Sequence, residues 1–142
     1  MISEFVQLMD SVVDAYAALA LQVPAIVTRV DFPDRQLEDL DKLYIDVYPG
    51  ERRTQRTARG ELTRWLTVLV ALRQAQIASA DDLLRVVEEL EEAIFDFAPP
   101  LGYGLVGTGE ADRDTYDYAT LHELNMFSAP LTLTFLRVLD DE

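Results

Sequence analysis

Four groups of side chains have types and spacings that chemistry can use. Gly102-Tyr103-Gly104-Leu105-Val106-Gly107 spells G-x-G-x-x-G, the pattern of a turn whose amides cradle a pyrophosphate. That use requires a strand before the glycines and a helix N-terminus after them. Here a helical stripe and Pro99-Pro100 precede, while Glu110, Asp112 and Asp114 follow and repel phosphate, so a floppy loop is the better reading. The same acids, with Asp117, offer oxygen ligands to a divalent cation. They lack the sixth-position glycine and twelfth-position glutamate of the calcium loop, and read as solvated with no metal. His122 is the only histidine, beside Glu123 and near Ser128. Hydrolytic triads are defined by geometry, and no nucleophile-elbow glycine pattern accompanies this histidine. It reads as a packed or surface residue. Neither a catalytic residue nor a cofactor is expected.

The fourth group is basic. Glu51-Arg52-Arg53-Thr54-Gln55-Arg56-Thr57-Ala58-Arg59-Gly60 contains no large apolar residue and cannot form core. Its arginines, Arg52, Arg53, Arg56 and Arg59, carry planar forks suited to carboxylates and phosphates. Residues 51–64 hold five arginines and two glutamates, a local +3 in a chain of net charge −14, which leaves −17 elsewhere. Identical subunits can set one copy's arginines against the next copy's acidic face, a head-to-tail contact that closes into a ring when the rotation permits. A solvated turn is the bland alternative.

The flanking segments position these arginines. Leu43-Tyr44-Ile45-Asp46-Val47-Tyr48 is β-branched and aromatic and ends at the turn pair Pro49-Gly50. Leu43, Ile45 and Val47 fall on one face; Tyr44, Asp46 and Tyr48 fall on the other. From Glu61 to Arg73, Leu62, Leu66, Val68, Val70 and Leu72 share a face opposite Thr63, Trp65, Thr67, Leu69 and Ala71. The pair predicts a long β-hairpin with a mobile arginine loop at its tip. Upstream, Ser3 caps an amphipathic helix from about Ile2 to Leu21, striped by Phe5, Leu8, Met9, Val12, Tyr16 and Leu19 and ended by Pro24. Ala25–Val30 reads as a short strand, and 35–41 as a loop or a single helical turn. Downstream, Ser79 and Asp82 form an S-x-x-D cap before the stripe Leu83, Val87, Leu90, Ile94 and Phe97. Residues 102–117 read as flexible. Tyr116 to Leu121 suggests a strand, and Leu131–Leu136 alternates as another, started by Pro130.

The whole, residues 1–142, fits one α+β domain with a real core. Hydrophobic content of 49% excludes a disordered polymer, and the absence of cysteine excludes a disulfide framework. The first residues do not resemble a secretory signal, and no apolar run approaches the ~20 residues that span a bilayer. A soluble, cytoplasmic product is expected, with no membrane partner. The acidic surplus repels nucleic acid at long range, or serves simply as a solubilising surface.

Helix, short strand, hairpin with a polar arm, capped helix and C-terminal strands, in this order, resemble the tail-terminator or tail-completion proteins of long-tailed bacteriophages. The resemblance rests on the helix from Ile2, the pair Leu43–Tyr48 and Glu61–Arg73, the helix from Ser79 and the strand Leu131–Leu139. It implies a single mixed, mostly antiparallel sheet against two main helices. It also implies a hexameric ring in the virion neck, capping the tail tube protein and joining it to the head–tail connector or stopper protein. Genome DNA would pass through the bore without sequence-specific binding. Arg52, Arg53, Arg56 and Arg59 are then the expected contacts to a neighbour or an adjoining ring, extended by Tyr44, Asp46, Tyr48 and Trp65. Another neck protein is the nearest alternative. An acidic DNA-mimic inhibitor and a small-molecule module built on His122 and the glycine-rich loop are the others.

Overall fold

A computed structural model describes residues 3–21, 23–31, 42–75, 80–108, 117 and 126–140. Its centre is β3, Glu61–Ala75, where apolar side chains alternate: Leu66, Val68, Val70 and Leu72 are buried, and the residues between them are half-buried. On one side β3 pairs antiparallel with β2, Leu43–Ala58; on the other it pairs antiparallel with β5, Met126–Asp140. Outside β2 lies β1, Ala25–Arg29, in parallel, and outside β5 lies β4, Gly104–Thr108, antiparallel. The described strands thus form one mixed sheet in the order β1-β2-β3-β5-β4, mostly antiparallel.

Helix α1, Glu4–Ala17, and helix α2, Asp81–Phe95, give the α+β fold its second layer. Leu8, Met9, Val12 and Tyr16 of α1 and Leu83, Val86, Val87, Leu90 and Ile94 of α2 join one buried cluster. The sheet contributes Ile45, Val47, Leu66 to Leu72, and Phe127 to Phe135 from alternate positions, so both helices cover the same face. The Ser3 hydroxyl caps α1 by accepting from the Phe5 amide at 3.1 Å. The helix stops at Ala17, not Leu21, because Leu19, Leu21 and Val23 turn in against the core. In α2 the cap position belongs to Ala80, which makes no side-chain cap; Ser79 lies outside the described residues. Phe97 sits beyond the helix and meets Phe135 edge-on, with ring centroids 6.1 Å apart.

Four segments differ from the sequence expectation. The arginine stretch is not a loop: β2 continues through it to Ala58, and only Arg59-Gly60 turns, with Gly60 at φ 80°. Pro49-Gly50 is not a turn but a bulge, with Pro49 opposite Val68 and Arg52 already opposite Leu66. One extra residue there reverses which side chains of β2 face the helices. Third, Gly104–Thr108 of the glycine-rich segment is edge strand β4, entered by a turn in which Leu101 (φ 63°) and Gly102 (φ 81°) are left-handed. The Tyr103 amide closes that turn on the Pro100 carbonyl at 3.2 Å. Pro130 lies inside β5 rather than at its start. β4 does not reach that row, and among the described residues no strand pairs with β5 there, so the missing N–H breaks no described ladder bond. The strand expected at Tyr116–Leu121 and the segment 35–41 lie outside the described residues, apart from Asp117, whose amide donates to the Ser128 carbonyl at 2.8 Å.

The bulge depends on Gly50. A Cβ there would stand 2.9 Å from the Thr67 carbonyl oxygen, a backbone atom that cannot swing aside. Gly50→Ala should therefore lower stability by roughly 1–3 kcal/mol in urea unfolding, as overpacking does. Gly104→Ala, where a Cβ meets nothing within 4 Å, should cost clearly less.

Candidate functional site: the basic arm

The last ten residues of β2 are all exposed, and with the first half of β3 and the end of β5 they form a three-stranded arm. At about 3.3 Å per residue, β2 runs to roughly 50 Å, far longer than the five-residue strands at the sheet margins. A polar sequence holds this extended form through cross-strand contacts. The Arg53 guanidinium lies over the Trp65 ring, 4.1 Å from its centroid. Arg64 Nε donates to Thr54 Oγ1 at 3.2 Å, and the Thr57 and Thr63 hydroxyls meet at 2.9 Å. Cation–π and Thr–Thr pairs of this kind contribute roughly 0.2–1 kcal/mol each.

The bulge decides where the arginines point. Arg52 and Arg56 lie opposite Leu66 and Leu62 and share the helix side of the sheet, whereas Arg53 shares the other side with Trp65. Arg59 occupies the tip turn. The four therefore spread over both faces and the end of the arm instead of forming one patch. Tyr44, Tyr48 and Trp65 lie half-buried on the face without helices.

Asp46 departs from the expected surface role. It is fully buried, its Oδ1 accepts from the Thr28 hydroxyl at 3.0 Å, and its Oδ2 stands 3.6 Å from Arg73 Nη2. It ties β1, β2 and β3 together inside the chain and is shielded from the surface.

Where the arm leaves the body, a polar cluster holds it. Arg64 and Arg137 are register partners on β3 and β5, two like charges side by side. Glu4, in the first turn of α1, accepts from Arg64 Nη1 at 2.6 Å and Arg137 Nη1 at 2.8 Å, and from the Tyr103 hydroxyl at 3.0 Å. Arg137 also leans over the Tyr103 ring, 5.8 Å from its centroid. Burial pushes the Glu4 carboxyl up, but the hydrogen bonds from Arg64 and Tyr103 and the charges of Arg64 and Arg137 outweigh it and hold it below its ordinary value. Burial and the neighbouring carboxylate raise the Tyr103 phenol. This cluster escapes sequence reading because Glu4 lies 60, 99 and 133 residues from Arg64, Tyr103 and Arg137. The local signal is the place of Glu4 directly after the cap residue Ser3, where an acid suits a helix N-terminus.

Acidic residues line the other end of the body. A groove of about 430 Å³ runs between Leu19–Leu21 and α2, bordered by Arg85, Glu89, Glu92 and Asp96. Among the described residues, no group of three or more acidic or histidine side chains is placed to hold a metal ion. No described helix is long and apolar enough to cross a membrane. His122, Glu110, Asp112 and Asp114 lie outside the described residues. No model of a known protein family matches the chain, and no curated protein matches it in sequence.

Two consequences are measurable. Glu4→Gln leaves Arg64 facing Arg137 and should cost about 1 kcal/mol at neutral pH, a value suited to a partly exposed pair. Because the folded carboxyl is depressed, its contribution is present above its ordinary pKa of 4.5 and is lost as pH falls through the lower folded value. The variant's stability should therefore vary less than the parent's below that pH. Asp46→Ala strands the Arg73 charge among buried strands, and thermal unfolding should show a loss of roughly 3–5 kcal/mol.

Proposed function

We propose that this chain is a structural subunit of a long-tailed bacteriophage neck. Its copies assemble into a hexameric ring that caps the tail tube and joins it to the head–tail connector, and it works by assembly, without catalysis. In this reading its site of action is the virion. The observation that carries the reading is a long, stiff, arginine-bearing arm projecting from a body whose remaining charge is −17. A solvated turn requires neither that length nor the cross-strand stitching. Arg52, Arg53, Arg56 and Arg59 are the contact residues, reaching a neighbouring copy or the adjoining ring. Tyr44, Tyr48 and Trp65 extend the contact along the face without helices. α2, with Asp81, Asp82, Glu88, Glu89, Glu91 and Glu92 against a single arginine, carries much of the body's acidic charge. The element order from α1 to β5 supports the same assignment. An acidic bore would let duplex DNA slide through without adhering, since like charges repel.

Light scattering on the purified protein, alone and with tail tubes, tests the proposal. A hexamer-sized species is expected. Replacing the four arginines with glutamine should abolish it while leaving far-UV circular dichroism unchanged. A parent protein that stays monomeric in both settings would overturn the reading, and unchanged assembly of the variant would remove the arm from the contact.

A further inference from the structure

Among the described residues the arm has two open edges, and they are chemically unlike. β1 follows β2 only as far as Val47, with the Val30 amide adding a last bond to the Val47 carbonyl at 2.9 Å. Beyond that point no described strand lies outside β2. On the opposite side, β4 follows β5 only as far as the row pairing Gly104 with Leu136, so no described strand lies outside Arg137–Asp140. An exposed strand edge is a row of unmet N–H and C=O groups and a template for pairing. β1 and β4 are five residues each, and β4 is bulged between Leu105 and Gly107, which protects those margins. The arm is longer than either margin, and β2 is bulged there only at Pro49–Arg52 and at Arg56–Ala58, which leaves Arg52–Arg56 as an unbulged run between the two shifts.

Charge decides what suits each edge. Two β2 edges pairing by a twofold axis would set the arginine row Arg52, Arg53 and Arg56 against its own copy, and like charges directly opposite are destabilising. The β5 edge instead carries Val138, 54% exposed, and the chain there runs into Asp140, Asp141 and Glu142. β2 and β5 both run antiparallel to β3, so they point the same way. A rotation about an axis along the strands therefore brings the β5 edge of one copy beside the β2 edge of the next, in parallel. We infer that copies of this chain join by parallel pairing of the β5 edge over Arg137–Asp140 with a neighbour's β2 edge around Arg52–Gln55, which continues the arm sheets from subunit to subunit. The inference rests on the proposed self-assembly and specifies its contact. Such a contact is heterologous, so it closes into a ring or grows as a filament.

The absence of cysteine in the chain makes a disulfide test clean. Gln55, Thr63 and Val138 lie in one row across the arm, so positions 55 and 138 of a single subunit are two strand spacings apart. That is about 10 Å, beyond the ~7 Å limit for a disulfide, and any bond between them must join two copies. Val138→Cys should be combined in turn with Arg53→Cys, Gln55→Cys and Thr57→Cys, which sample the stagger between neighbours. On oxidation at least one double variant should give a ladder of covalent multimers, with none from the single variants. Dimers from Gln55→Cys alone, at the level of the doubles, would mean twofold pairing and overturn the inference. An oligomer by light scattering in which no double variant cross-links would remove the edge contact and leave self-assembly standing. A monomer would remove both.

Discussion

β3 is paired on both sides from Glu61 to Arg73, yet the helices cover only its second half. The rest of the molecule answers to that mismatch. Where Leu66, Val68, Val70 and Leu72 meet α1 and α2, burial of apolar surface at about 25 cal/mol per Å² supplies the stability. Past Leu66 that source ends, but the ladder does not, because β2 and β5 accompany β3 to its first residue. Three hydrogen-bonded strands resist bending where a two-stranded ribbon would not, and the arm therefore stands out from the body as a continuation of the sheet.

The Glu4 cluster lies at the junction between these two regimes. It is the last contact between helix layer and sheet, and a single carboxylate there offsets two guanidinium groups on adjacent strands. An ion pair at an exposed surface contributes little. Here the carboxylate receives three directed hydrogen bonds and sits at a helix N-terminus, where the dipole favours negative charge. The arm's orientation relative to α1 is thereby fixed by polar groups at the point where apolar packing gives out. Asp46 acts in a related way within the body, joining three strands through Thr28 and Arg73.

Periodicity made most of the architecture legible. The stripes of α1 and α2, the alternation of Leu43–Val47 and Leu66–Leu72, and the apolar run of Leu131–Phe135 each declare an element with one buried face, and each is found. What stayed hidden was structure held by something other than a core. Arg52–Thr57 has no apolar alternation to announce a strand; its extended form comes from partners on β3, above all Trp65, that lie across a turn. Pro49-Gly50 looks like a turn because its residues suit one, and only pairing distinguishes a bulge. Gly104–Thr108 is a strand because β5 offers an edge, a tertiary fact. Asp46 has a solvent-facing parity in its strand and is nonetheless buried, since its neighbours Thr28 and Arg73 come from other strands.

The extra residue at Pro49–Arg52 also makes the arm a matter of parity. Side chains alternate with period two, so any odd change in length between Val47 and Arg52 exchanges the two sides of the distal strand. Arg52 and Arg56 would then face where Arg53 and Gln55 face now, and the Trp65 ring would lose its cation. An even change leaves the pattern intact and merely slides it. Length drift in this short stretch is thus filtered by arithmetic before any single contact is weighed, and the bulge serves as the switch that assigns each arginine its side.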